Sequence, residues 1–324
     1  MGTAYWISRI VYAAAKLGLA DHLAGGSKSA PELAALTHTH PPSLHRLMRT
    51  LAGLGVLSED VDHRFALTPL GEALKVGAPG SARATILALA GDWWWQGWEQ
   101  FVYCVETGNT GMQKVFAKSV FEYLAEHPQE ASYFNEAMIG FHGDEPPAVA
   151  AAYEFSNFDT VVDVGGGTGN LLAAILLRHP RVRGILADLP HVVREAPALI
   201  EASDLQDRVT IESIDFFKSV PAGGDAYLLS HVIHDWTEDQ CLTILGNCRK
   251  AMKSSGRLLI IETVLPAGNT PHPGKLLDIA MLVMPGGQER TEEAYGTLLS
   301  KAGFRLTRVV PTKSAVGVVE ATPV

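Results

Sequence analysis

The run Ser230-His231-Val232-Ile233-His234-Asp235-Trp236 places two imidazoles three residues apart, the second followed by a carboxylate. An imidazole at the carboxyl end of a strand, over a ligand crevice, can take a proton from a hydroxyl near neutral pH. His234 is therefore the candidate general base, with Asp235 beside it. Glu262 closes the run RLLIIE at the same edge and is placed to orient the imidazole from behind. His231 reads as structural.

A second constellation lies upstream. The run TVVDV leads directly into Gly165-Gly166-Gly167-Thr168-Gly169-Asn170 and then a helical stretch, LLAAILLRH. Glycines after a strand let a ligand approach the bare backbone. Asn170 stands where a dinucleotide fingerprint needs its last glycine, and no Gly-Lys-Ser/Thr follows to make a phosphate loop. Asp163 followed by alternating glycines fits instead a nucleoside that lacks a pyrophosphate. Asp188 closes the next apolar run, where a carboxylate can hold the two hydroxyls of a ribose or cap the following helix. Asp215-Phe216 follows the third run. That pair suits an exocyclic amine and a purine face, although an aspartate after a strand is also ordinary turn chemistry.

These residues need a scaffold that brings strand ends together. From residue 158 onward, short apolar runs (TVVDV, GILAD, RVTIE, AYLLS, RLLIIE) alternate with helical stretches, which predicts a doubly wound parallel sheet in the α/β class. The last two runs, FRLTRV and VGVVE, are separated only by PTKSA, too short for a helical crossover, so an antiparallel hairpin is expected at one edge. Thr237 and Gln240 form a capping box that starts a helix just after His234.

The first 80 residues differ in character. Helical patterns near 5–24, 30–37 and 42–54 precede RFALTPLGEAL, a strand and turn, and together they read as a winged helix-turn-helix. Its two uses are reading DNA and packing against another chain, and charge separates them. Across residues 28–80, Lys28, Arg46, Arg49, Arg64 and Lys75 are balanced by Glu32, Glu59, Asp60, Asp62 and Glu72, whereas a DNA reader carries a basic face. Dimerisation, or covering a substrate, is the favoured reading. About half of all aromatic rings fall between residues 91 and 141, as a helical core or as walls for a flat ligand.

Composition bounds what remains. The chain has 324 residues, 47% hydrophobic and 19% charged, enough for two domains with sizeable cores. A net charge of −9 argues against nucleic acid or anionic membrane as a whole-surface partner. Cys104, Cys241 and Cys248 cannot all pair and show no metal spacing, which fits a reducing compartment, the cytoplasm by default. Cys241 and Cys248, seven apart, read as small apolar packing groups on one helix. His38, His40 and His45 lack a completing carboxylate or thiolate, so no metal is expected. No export signal is read at the start, and no apolar stretch is long enough to span a bilayer.

In combination, VVDVGGGTGNLL, ADLPHVV, IDFF, HVIHDW, IETVLP and GGQERT resemble the S-adenosylmethionine-dependent O-methyltransferases of the caffeic acid and hydroxyindole type, over nearly the whole chain. The resemblance implies a homodimerisation domain at 1–90, an aromatic-rich linker lining the acceptor pocket at 91–150, and a Rossmann-like S-adenosylmethionine domain at 151–324. It implies that Asp163, Gly165, Gly166 and Gly167 hold the methionine part and Asp188 with Leu189 the ribose. Asp215 and Phe216 would then hold adenine, with Ser230 near the cofactor. His234 is the implied base, flanked by Glu262 and Glu289, and Phe134, Met138, Asp235, Met281 and Met284 fall in segments that line the acceptor site. Ile214 departs from the glycine usual before the adenine-side aspartate. The implied reaction is methyl transfer to an aromatic hydroxyl, a secondary-metabolite phenol. The alternatives are N- or C-methylation, a decarboxylation or hydroxylation on the same scaffold, and a DNA-binding regulator that senses S-adenosylmethionine.

Overall fold

A computed structural model describes residues 1–78 and 80–324. They divide into two compact units, residues 1–99 with 112–142 and residues 100–111 with 143–324. The aromatic-rich stretch expected as one linker is therefore shared between the two units.

In the first unit, helices Tyr5–Lys16, Leu19–Leu23, Ala30–Thr37 and Pro41–Gly53 combine with strands β1 (Lys28–Ser29), β2 (Leu57–Glu59) and β3 (Arg64–Leu67). The strands pair antiparallel in the order β1-β3-β2, the wing expected from RFAL. Helix Ala30–Thr37 starts at the Ser29 box, where the Ser29 N–H donates to Glu32 at 2.6 Å and Pro31 fits a first turn that needs no donor. Leu33, Leu44, Met48, Leu51 and Phe65 form the fully enclosed core of this half. Further helices carry Trp93, which stacks on Tyr123 at 5.3 Å, and Tyr123 in turn lies 3.9 Å from the His127 ring. These rings pack on one another inside their own unit, as core residues do.

The second unit is built on a seven-stranded sheet. Its strands are β4 (Thr160–Val164), β5 (Arg183–Asp188), β6 (Val209–Ser213), β7 (Ala226–Ser230), β8 (Arg257–Glu262), β11 (Phe304–Pro311) and β12 (Gly317–Pro323), ordered β11-β12-β8-β7-β4-β5-β6. Strands β4 to β8 pair parallel, and β12 runs antiparallel to β8 and to β11, so the expected edge hairpin is present. Both faces are covered. Val161, Leu228, Leu259 and Ile261 face one apolar cluster, and Val162, Val164, Tyr227, Leu229, Leu258 and Ile260 face the other. That double burial is why these strands read as continuous apolar runs rather than as alternation.

Topology then locates the site. The chain leaves β4 towards β5 and β6, then returns to place β7 on the other side of β4, which opens a crevice at their carboxyl ends. The short parallel pair β9 (Val264–Leu265) and β10 (Arg290–Thr291) joins the segment after β8 to the segment carrying Glu289. Among the described residues, no helix is long and apolar enough to cross a membrane.

Candidate active site

At the end of β4, Gly165 adopts φ +71, and a Cβ built there would lie 2.9 Å from Val232 and 3.4 Å from the Phe216 ring. Only a bare backbone fits between them, and it leaves the crevice floor open to a ligand. Gly166 is equally constrained, since a Cβ would sit 2.6 Å from the Asp163 carboxylate. Asp163 is fully enclosed and lies under the loop rather than on its ligand side. Leu172 N–H pulls its pKa down, but neither oxygen reaches a partner at hydrogen-bonding geometry. Burial, helped by the Asp188 charge, pushes its pKa up to about 7.

Asp188 ties the loop together. One of its oxygens accepts the Gly167 N–H at 2.8 Å and the other accepts the Leu189 N–H at 2.6 Å. Burial raises its pKa against the pull of those two donors. Each carboxylate oxygen has two lone pairs, so both keep capacity for a hydroxyl. The carboxylate does not cap the following helix: it accepts the N–H of Leu189, the residue before helix Pro190–Val193, and that helix has no side-chain cap. Ile214 N–H donates to the Asp188 carbonyl at 2.8 Å, which brings Asp215 and Phe216 to the same edge. Asp215 accepts the Phe217 N–H at 3.0 Å and pairs with Lys218, which holds its carboxyl below the usual range. Asp215 thus shapes its own turn, the ordinary turn chemistry also expected of it, and the ring of its neighbour Phe216 lies against Gly165. Ser230, the last residue of β7, is in register with Ile261 of β8.

The second half of the site is a single 3₁₀ turn, Ile233–Asp235, directly after β7. Glu289 holds the His234 ring, with Oε1 2.7 Å from Nδ1. A carboxylate there accepts the Nδ1 proton, so Nε2 is the basic nitrogen of the neutral ring. Glu262 does something different from what was expected. Its Oε1 accepts the His234 main-chain N–H at 3.1 Å, so it grips the turn and leaves the ring to Glu289. Asp235 stands 3.7 Å from Nε2. Burial opposes charge on the imidazole, but Asp235, Glu289 and Glu262 together push its pKa up to about 10.

Other residues hold this turn, and sequence reasoning missed them. Gln288 N–H donates to the His234 carbonyl at 2.9 Å, and Asp278 accepts the Glu289 N–H at 2.9 Å. The Cys241 thiol lies 3.2 Å from the Ile233 carbonyl and 3.4 Å from that of Trp236, so it is a hydrogen-bonding prop for the turn as well as an apolar filler. A Cβ on Gly287 would fall 1.9 Å from the His234 carbonyl oxygen, so the two backbones lie flush. His231, read as structural, has φ +53, pairs with Glu145 at 2.6 Å, and its ring is 5.2 Å from that of His234. A non-glycine residue held there is a strained position of the kind found at sites.

The acceptor-side residues fall in different places. Met281 and Met284 are buried in the second unit, Met284 completely. Phe134 and Met138 pack beside Ala84, Ala88 and Ala137 in the helical core of the first.

Comparison with known proteins adds to this geometry. Residues 98–305 match the model of an O-methyltransferase domain, and residues 2–77 that of an O-methyltransferase dimerisation domain. A phenazine O-methyltransferase of Lysobacter antibioticus is 44% identical over 324 residues, covering 100% of this chain and 95% of its own. An 8-amino-8-demethylriboflavin N,N-dimethyltransferase of Streptomyces davaonensis is 33% identical, over 97% of this chain and 91% of its own. A solved O-methyltransferase from neocarzinostatin biosynthesis, in complex with S-adenosylmethionine and 2-hydroxy-5-methyl naphthoic acid, superposes with a TM-score of 0.87. It is 31% identical and covers 98% of this chain and 96% of that one.

Proposed function

Since the chain belongs to the O-methyltransferase family, we propose that it transfers the methyl group of S-adenosylmethionine to a hydroxyl of a small aromatic molecule, with His234 as general base. The observation that carries the reading is the His234 ring fixed at Nδ1 by buried Glu289, which reserves Nε2 for a proton.

The crevice suits this cofactor on its own evidence. Gly165 leaves a cradle that a Cβ would fill, Phe216 lies against it, and the Asp188 oxygens retain acceptor capacity. Gly165 to Gly167 would hold the methionine part, Asp188 and Leu189 the ribose, and Asp215 and Phe216 the adenine. When bound, S-adenosylmethionine supplies a methyl group on a sulfonium, open to in-line attack by an oxygen.

The protein's part is to position and to take a proton. A phenol with pKa near 10 is ionised to about one part in a thousand at pH 7, so a base adds typically ~10²–10⁴-fold. Aligning the acceptor oxygen supplies roughly 7–11 kcal/mol, and positioning outweighs proton transfer. Glu289 sets the tautomer, Glu262 and the Gln288 N–H set the turn, and Asp235 raises the basicity of Nε2. The same carboxylates keep the ring protonated near neutrality, so turnover rises with pH. Two copies of the chain pair through the first unit, as the dimerisation match supports. Three buried free cysteines fit work in the cytoplasm. Acceptors are small aromatics of secondary metabolism.

A second reading, transfer to nitrogen, draws support from the riboflavin-type relative named above. Incubation with labelled S-adenosylmethionine and matched pairs of hydroxy- and amino-substituted aromatics separates the two. Methyl ethers are the expected products; methylation of the amines alone would replace oxygen with nitrogen as the acceptor.

A further inference from the structure

Arg290 is 3% exposed, yet its hydrogen bonds go to no carboxylate. Nη1 donates to the carbonyls of Ile233 at 3.1 Å and Gln288 at 3.2 Å, and Nη2 lies 3.6 Å from the Cys241 sulfur. A buried cation is costly, and among the described residues this one has no ion pair to offset the cost. Its partners are informative. Ile233 immediately precedes His234, and Gln288 immediately precedes Glu289, the carboxylate that holds the ring. One guanidinium therefore ties the peptide leading into the base to the peptide leading into its orienting acid. Nη1 spans both carbonyls while the rigid guanidinium plane aims Nη2 at the Cys241 sulfur, a three-way arrangement that the single nitrogen of an ammonium does not reproduce.

Tyr295 acts on the opposite side. Its hydroxyl donates to Glu262 Oε2, and Glu262 Oε1 accepts the His234 main-chain N–H. Tyr295 is fully enclosed, with its pKa raised well above the ordinary value, so it remains a donor. We propose that Arg290 and Tyr295 are positioning residues that fix the base-bearing turn, Arg290 by bridging it to the Glu289 segment and Tyr295 by bracing Glu262 beneath it. The inference rests on His234 as the base.

The groups around the imidazole come from several elements. Asp235 is on its own turn, His231 lies at the end of β7, Glu262 at the end of β8, and Glu289 before β10. Behind them stand Arg290, Tyr295 on helix Glu292–Lys301, and Cys241 on helix Glu238–Ala251, with Glu238 in the field of Arg290 and Asp278 holding the Glu289 N–H. Deleting the Tyr295 hydroxyl leaves Glu262 with more charge to present to the ring, which raises the imidazole pKa further.

The test is a double-mutant cycle in the full-length enzyme, with methylation of a phenol as the assay. Arg290→Lys is expected to lower kcat by about 10–100-fold, with the Kd for S-adenosylhomocysteine within about twofold of wild type. In a His234→Asn background the same change should cost less than about twofold, because there is no base left to position. Tyr295→Phe removes one oxygen and carries the test if Arg290→Lys fails to fold. It should lower kcat several-fold, move the rising limb of kcat to higher pH, and fall silent in His234→Asn. Arg290→Lys or Tyr295→Phe with wild-type kcat overturns the proposal, as does a loss that persists undiminished beside His234→Asn. Full turnover in His234→Asn alone overturns the base reading itself, and the positioning claim with it.

Discussion

The two halves of the site are assembled at different ranges along the chain. The glycine crevice is local chemistry: Asp188 binds the N–H of its own neighbour Leu189 and that of Gly167, 21 residues away, across the adjacent pair β4 and β5. The His234 turn is held from afar, with Glu262 28 residues away, Glu289 55 and the Arg290 contact to Ile233 spanning 57. The crevice is mostly bare backbone bracketed by carboxylates, whereas the turn is a buried charged network. Bare backbone tolerates small shifts and serves binding. The network has two discrete parts that must meet within tenths of an ångström, which is what proton transfer and alignment require.

The contrast predicts that damage to the turn strikes turnover and damage to the crevice strikes affinity. The largest effect should come from His234→Ala, which removes the base and lowers turnover by about 10²–10⁴-fold while S-adenosylhomocysteine binds as before. Unchanged turnover at pH 7 would erase the distinction between the halves. Gly287→Ala should come next. Its Cβ has no room beside the His234 carbonyl, so the turn must shift, and a displacement of that order costs about 10²-fold in turnover. Kinetics paired with a calorimetric Kd would check it, and a parallel loss of cofactor affinity would break the comparison.

Asp188→Ala belongs to the other half. It should weaken cofactor binding by about 1–3 kcal/mol and leave the pH dependence of turnover intact; an unaltered Kd would sink the ribose assignment. The smallest change per step is the pH response. Since the folded pKa of His234 is raised to about 10, the neutral ring gains population as pH rises, and turnover should climb by up to about tenfold per unit between pH 7 and 9. A flat profile across that range, measured at saturating substrate, would remove Nε2 from the rate.

The same difference in range explains what is legible in the sequence. The sheet and its edge hairpin were legible because strands buried on both faces become uninterrupted apolar runs of fixed length. The glycine loop, Asp188 and the capping box at Thr237 are local signatures, and each appears where it was expected. His234 and Glu289 are brought together as the family resemblance implied. The contacts of the turn were not legible. Nothing local in RLLIIE says that Glu262 grips a main-chain N–H rather than a ring, and nothing in GGQERT says that Arg290 reaches two carbonyls. Cys241 looked like packing because a thiol leaves no sequence signal for whether it also donates. The flush contact at Gly287 had a faint signal, since paired glycines after a helix imply close approach, but the partner lay more than 50 residues upstream.

The central claim is that the crevice at β4 and β5 holds S-adenosylmethionine for methyl transfer. Calorimetric titration with S-adenosylhomocysteine, with NAD as a control, tests it most directly. Micromolar binding of the first and none of the second is the expected result. Absence of S-adenosylhomocysteine binding, or binding of NAD in its place, would contradict it.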